Sequence, residues 1–243
     1  MWKTITKIFI LLGVAAYLIF AVTTFKHTDQ SLVCNKLDII INDEDSTGFI
    51  SENEVRELLV GSKLFPEGKA LGDIDLAKME KVLKASPYID EAQCYKAADG
   101  RMTIRVTPRI PVLHVLNKAG EDFYIDNRGG IMPRGHHRIN LIVMTGNVHK
   151  KTAGPLYAPI GVALNKDTFW NKQIQEIHVT EAGELELTPR IGDHIIQLGD
   201  TSRLSDKLSR MQIFYTEGLG KAGWNQYKTI NLKFNNQVIC TRR

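Results

Sequence analysis

The sequence predicts an α+β protein: an N-terminal transmembrane helix, a small β-α-α-β-β domain, then a mixed, β-rich second domain with helices. Three observations carry this. Ile8–Phe25 runs eighteen residues without a charged side chain. Between residues 32 and 107 the hydrophobic period goes from 2 to 3.6 and back to 2. Beyond residue 110, short β-rich runs recur between Gly, Asn and Pro.

Taken as a helix, Ile8–Phe25 would be about 27 Å long, close to the ~30 Å hydrocarbon core of a bilayer. Neither face is polar, which argues against a buried helix of a soluble domain. A cleaved signal peptide has a shorter apolar run, and the small-residue candidate Ala21-Val22-Thr23 lies inside this one, which suits cleavage poorly. An uncleaved anchor is the better reading. Lys3 and Lys7 precede it, while Lys26 is offset by Asp29, so the positive-inside bias puts the N-terminus in the cytoplasm. The expected division is 1–7 for a short cytoplasmic tail, 8–25 for the span, 26–110 for the first domain and 111–243 for the second.

In the first domain, residues 32–42 read as a strand. Ser51 and Glu54 form a capping box with Ile50 at the staple position, opening a helix over about 52–60. After the Gly/Pro/Lys-rich loop 61–72, Asp73 or Asp75 caps a second helix with Leu76, Met79, Val82 and Leu83 at helical spacing. Ser86-Pro87 ends it. Ile89–Ala97 and Met102–Thr107 are strands joined through Asp99-Gly100, a hairpin signal. Two short amphipathic helices must then share one three-stranded sheet.

In the second domain, Val112–Leu116, Asp122–Gly130 and Asn140–Gly146 read as strands and turns. Leu156–Phe169 is a helix candidate with Pro155 and Pro159 near its start. Ile174–Val179, Glu184–Thr188 and His194–Leu198 form a meander, and the alternation of Glu184–Thr188 implies one buried and one wet face. A helix spans Thr201–Gly218, capped by Thr201 or Ser202. Thr229–Phe234 is the last long strand and turns at Asn235-Asn236 into Gln237–Cys240.

Composition is that of a globular chain, 43% hydrophobic and 24% charged. Setting Lys3 and Lys7 aside leaves 29 basic against 27 acidic residues, a balance that argues against nucleic-acid binding. Cys34, Cys94 and Cys240 form no CxxC pair. Cys34 and Cys94 could join in an oxidising compartment; buried reduced thiols are the alternative.

No GxSxG, HExxH or phosphate loop is present, and no catalytic residue, metal or cofactor is expected. His136-His137 would point to opposite faces of a strand and reads as a solvated loop. Glu121, Asp122 and Asp126 are acidic neighbours whose convergence spacing cannot show. Asp43-Glu44-Asp45 lacks EF-hand spacing and reads as a solvated turn.

Four phrases, in order, resemble one family. Phe49–Val55 and Asp75–Glu80 are similar to its two helix starts. Ser86–Ala92 resembles its "NPWV..A" turn, and Gly100–Val112 its "L.I.V.ER.P.A" run. Together they resemble the POTRA module of the FtsQ/DivIB family of bacterial division proteins. Asp122–Gly130, Asn140–Gly146 and Thr229–Ile239 resemble segments of that family's β domain, though Gln237 stands where the pattern often has Gly. The resemblance implies a non-catalytic scaffold of the bacterial inner membrane, with a single span and the bulk of the chain periplasmic. It would recruit division proteins to the septum and be linked to septal peptidoglycan synthesis. It also implies FtsB/FtsL-type bitopic partners that add a strand at the C-terminal sheet edge, with Phe234, Asn236, Gln237 and Ile239 as partner-binding residues, and other divisome contacts through the POTRA domain. A POTRA-bearing component of outer-membrane assembly or secretion is the alternative; it usually carries several such repeats and a barrel.

Overall fold

The structure, a computed structural model, describes residues 10–21, 32–42, 48–135 and 139–243. Asp43-Glu44-Asp45 and His136-His137 lie outside the described residues. Residues 10–21 form helix α1, whose large apolar side chains are exposed. Among the described residues no helix is long and apolar enough to cross a membrane. The expected span continues at 8–9 and 22–25, also outside them. The chain divides into two compact units, Met1–Pro108 and Arg109–Arg243.

The first unit contains β1 (Lys36–Ile41), α2 (Glu52–Gly61), α3 (Leu76–Lys84), β2 (Ile89–Lys96) and β3 (Arg101–Pro108). The sheet order is β1-β3-β2, with β1 parallel and β2 antiparallel to β3. The capping box forms: the Ser51 side chain accepts from Glu54 N–H, and the Glu54 carboxylate accepts from Ser51 N–H at 2.7 Å. Asp75 caps α3 by accepting from Lys78 N–H. One stripe of each helix, Val55 and Leu59 on α2 and Met79 and Leu83 on α3, is buried with Leu37, Ile104 and Val106 of the sheet. Strand β3 separates Cys94, on β2, from Cys34, which leads into β1. Neighbouring strands lie about 4.8 Å apart. Cys94 is level with Ile39 through Ile104, five residues along from Cys34, so the two cysteines are at least roughly 10 Å apart, beyond disulfide reach, and all three cysteines are free.

The second unit is built on a nine-stranded sheet. Its strands are β4 (Pro111–Asn117), β5 (Asp122–Asp126), β6 (Ile131–Pro133), β7 (Val143–Gly146), β8 (Ile174–Val179), β9 (Leu185–Pro189), β10 (Ile195–Gly199), β11 (Tyr227–Asn231) and β12 (Ile239–Arg242), in the order β12-β11-β10-β9-β8-β7-β4-β5-β6. Helices α4 (Lys150–Lys166) and α5 (Thr168–Gln173) cross from β7 to its parallel neighbour β8. Helix α6 (Leu204–Ile213), a π-helical segment Phe214–Leu219 and the short α7 (Gly220–Ala222) cross from β10 to parallel β11. The meander β8-β9-β10 is antiparallel. Leu185 and Leu187 are buried while Glu186 and Thr188 are partly exposed, the alternation the sequence shows.

Two helices differ from expectation. Helix α4 begins at Lys150, six residues before the expected start, and contains both prolines. Burial of Ala153, Tyr157, Ile160 and Leu164 offsets the lost backbone bonds. Helix α6 begins at Leu204, after Arg203 in the left-handed region at φ 48°, with no side-chain cap. Ser202 instead donates to Asp200 Oδ1 at 2.6 Å.

Tyr215 of the π-helical segment packs against Trp170, Phe169 and Trp224. Its hydroxyl lies 2.7 Å from Nε2 of His194, a residue 1% exposed. Burial holds the His194 pKa below its ordinary 6.5; Asp193 opposes this and Arg243 adds to it. Above pH ~6.5 the imidazole is neutral in both folded and unfolded chains. Below that pH the unfolded chain takes up a proton that the folded chain resists, so stability falls with acidification. Thermal midpoints of wild type and His194→Gln, compared from about pH 6.5 to 5, should show a shallower decline for the variant. Parallel curves would mean His194 does not contribute.

Candidate partner-binding edge

A sheet offers a partner the unpaired backbone of its edge strands. The two sheets have four edges: β1 and β2 in the first unit, β6 and β12 in the second. On β1, Glu67 Oε1 accepts from the Leu37 N–H at 3.1 Å. On β2, Glu80 of α3 accepts from the Cys94 N–H at 2.8 Å. On β6, Pro133 has no N–H to give, and Arg109 Nη1 donates to the Ile131 carbonyl at 3.3 Å. Each of these edges is blunted by a side chain. Among the described residues no side chain takes a backbone group of β12.

Strand β12 pairs antiparallel with β11, matching Ile230 to Cys240 and Asn231 to Ile239. Val238 and Cys240 pack partly against the core, while Ile239, Thr241 and Arg242 face solvent. At its C-terminal end the Arg243 guanidinium donates to the Asp193 carbonyl at 2.9 Å. Beside the edge, Phe234 is 47% exposed and Ile239 43% exposed, two large apolar side chains available to a partner.

The expected site residues are close together in the chain but not on one strand. Strand β11 ends at Asn231 rather than Phe234, and Asn236 and Gln237 lie in the turn, not on the following strand. Only Ile239 of the four is on β12. The physical reason lies in side chains that grip the turn. Asn231 Oδ1 accepts from the Lys233 N–H at 2.9 Å and bends the chain out of the ladder. Arg210 of α6 then donates through Nη1 to the carbonyls of Phe234 (2.9 Å) and Gln237 (2.6 Å), and through Nη2 to that of Leu232 (3.4 Å). Asp206, one helical turn earlier, orients the guanidinium at 3.1 Å. Asn236 takes the left-handed conformation at φ 58° that closes the turn. Sequence reading missed Arg210. Its only signal was the i,i+4 spacing from Asp206, which cannot show where the remaining N–H groups go.

The acidic neighbours do not converge on one point. Glu121 accepts from Asn117 Nδ2 at 2.7 Å. Asp126 is held by Arg109, 2.7 Å away. Asp122 bonds His114 at 2.7 Å and pairs with Arg134. Burial pushes the Asp122 carboxyl up, but the bonds from His114 and Arg134 outweigh it and leave the group below its ordinary range. Burial raises the thiols of Cys34, Cys94 (to about 12) and Cys240, which disfavours the thiolate. Among the described residues no group of three or more His, Cys, Asp or Glu could hold a metal ion. What this region presents is backbone and apolar surface.

Residues 110–241 match the family model described as FtsQ/DivIB, C-terminal related, and residues 32–107 match that of a POTRA-like domain. No curated protein matches the chain.

Proposed function

Because the chain belongs to the FtsQ/DivIB C-terminal related family, a family of cell-division scaffolds, we propose that it is a non-catalytic divisome scaffold of the bacterial inner membrane. Residues 8–25 anchor it with the N-terminus cytoplasmic, and the two units lie in the periplasm. It recruits other membrane-anchored division proteins at the septum and so serves septal peptidoglycan synthesis. A segment of an FtsB/FtsL-type bitopic partner adds as a strand to β12, with Phe234 and Ile239 as apolar anchors and the turn at Asn236 and Gln237 beside it.

The observation that supports this reading is the contrast among edges. Side chains cap backbone groups of β1, β2 and β6, and among the described residues none caps a backbone group of β12. Arg210 holds the adjoining turn, so less ordering is required when a strand arrives. Burying a phenylalanine side chain is worth about 1.5–3 kcal/mol, so Phe234→Ala should weaken partner binding roughly 10- to 100-fold. Ile239→Lys, which places a charge on the edge, should weaken it at least as much. Co-purification of the full chain with a bitopic division protein tests this, with circular dichroism to verify folding. Wild-type recovery by both variants would sink the β12 site, and normal septa on depletion of the protein would remove the division role.

A further inference from the structure

The buried imidazole of His194 has no free room around it. Its Nε2 lies 2.7 Å from the Tyr215 hydroxyl, and its Nδ1 is buried without a hydrogen-bond partner among the described residues. Gly192 backs the ring so closely that a Cβ there would lie 2.9 Å from Nδ1. An imidazolium needs a partner for both N–H groups and a counter-charge nearby. Tyr215 belongs to the π-helical segment Phe214–Leu219, and π-helical turns are frequent at functional sites.

The groups facing this ring connect it to the β12 edge. Asp193 precedes it in the loop before β10, and Arg243 follows β12. The Tyr215 hydroxyl faces it from the π-helical segment, and the Trp224 carbonyl from the loop before β11. Arg243 Nη2 donates to the Asp193 carbonyl at 2.9 Å and lies 3.4 Å from its carboxylate. The Arg243 N–H donates to the Gln226 carbonyl at 3.3 Å. Arg243 thus fastens the C-terminal end of β12 to the loops before β10 and β11, as Arg210 fastens the turn at the other end. Burial, with Arg243 adding to it, keeps the His194 pKa below 6.5, although the Trp224 carbonyl and Asp193 favour the charged form. Once His194 is protonated, two cations share one carboxylate. The coupling is reciprocal: Arg243 at Asp193 resists the proton, and the proton resists Arg243.

We propose that His194 is an acid-sensing switch for the β12 edge, an inference that rests on the strand-addition reading: a proton taken up there draws the Asp193 carboxylate to the imidazolium, releases Arg243 and frees the end of β12. A frayed strand must be ordered again before a partner can pair with it, so acid weakens partner binding.

The test measures binding of the bitopic division protein to the full chain from about pH 7.5 to 5.5, for wild type, His194→Gln and Arg243→Ala, with circular dichroism at each pH. Wild-type affinity should fall roughly fivefold or more, mostly below pH ~6.5. His194→Gln should match wild type at the upper pH and lose less than about twofold on acidification. Arg243→Ala should bind weakly throughout, because the fastening is already gone. Amide hydrogen exchange of residues 239–242, corrected for its intrinsic pH dependence, reads the same strand without a partner. Protection should fall with acid in wild type and hold in His194→Gln. Parallel pH profiles of these two chains overturn the switch. Binding lost by His194→Gln already at the upper pH also overturns it, since the residue would then serve structure alone. Absence of binding at every pH overturns the β12 reading instead, and the exchange comparison then decides for or against the switch.

Discussion

Gly154→Ala should destabilise the second unit by about 3 kcal/mol, the upper end of overpacking costs and a large share of a domain's ~5–15 kcal/mol of stability. A Cβ built on Gly154 would lie 1.8 Å from the Gly129 carbonyl oxygen and 2.8 Å from its carbon. The obstacle is backbone, which cannot change rotamer to make room. Gly129 is itself fixed in the turn between β5 and β6, at φ 81° and with its N–H bonded to the Asp126 carbonyl at 3.0 Å. Helix α4 would have to lift from β4 and β5 to admit the methyl group, opening contacts around Ala153, Tyr157 and Ile160. Urea unfolding of the variant beside Gly61→Ala gives the comparison. A Cβ at Gly61 meets nothing within 4 Å, so that change should be neutral or stabilising by up to about 1 kcal/mol. Equal midpoints for the two variants would refute the close-packing explanation.

Asp126→Ala should cost about 3–5 kcal/mol, the range for breaking a buried ion pair from one side. Asp126 is 4% exposed. Its carboxylate accepts from Arg109 Nε at 2.8 Å and from the backbone N–H groups of Arg128 (3.0 Å) and Gly130 (2.5 Å). One side chain thus joins the start of the second unit to the turn that receives α4. Replacing Arg109 and Asp126 together with apolar residues should cost less than Asp126→Ala, because no buried charge is stranded. The Gly154 and Asp126 variants act on the same turn, so their effects should not add. A loss under about 1 kcal/mol for Asp126→Ala in chemical denaturation would show that the network does not hold this turn.

Where local chemistry decided the structure, the sequence could be read. Ser51 and Glu54 mark the start of α2 by their own hydrogen bonds. Asp75 does so for α3. Strand β8 was legible residue for residue, and the meander after it followed from alternation. The expected α+β class, a POTRA-like unit before a β-rich one, agrees with the structure and the family matches. Where distant groups decided, it could not. Pro155 and Pro159 obscured the first turns of α4, whose helix is stabilised by burial against strands forty residues earlier. The three-residue strand β6 is too short for a periodic signal. At the candidate site, Thr229–Phe234 read as a strand to its end. Arg210, two dozen residues away, instead claims the carbonyls that would have continued the ladder. Glu67 and Glu80 were likewise invisible as edge guards, since their targets Leu37 and Cys94 become neighbours only in the folded unit.

Those guards set a limit on stoichiometry. A chain with two open strand edges can pass strands from copy to copy without end, as in a fibre. β1, β2 and β6 each carry a side-chain guard, and among the described residues β12 does not, so the proposed strand addition would have a valency of one. Two copies meeting at β12 would close a pair and stop, and a foreign strand bound there would leave no acceptor for another copy. On the proposed reading, strand-mediated self-association and partner binding would compete for this one edge, and free partner concentration would set the balance between them.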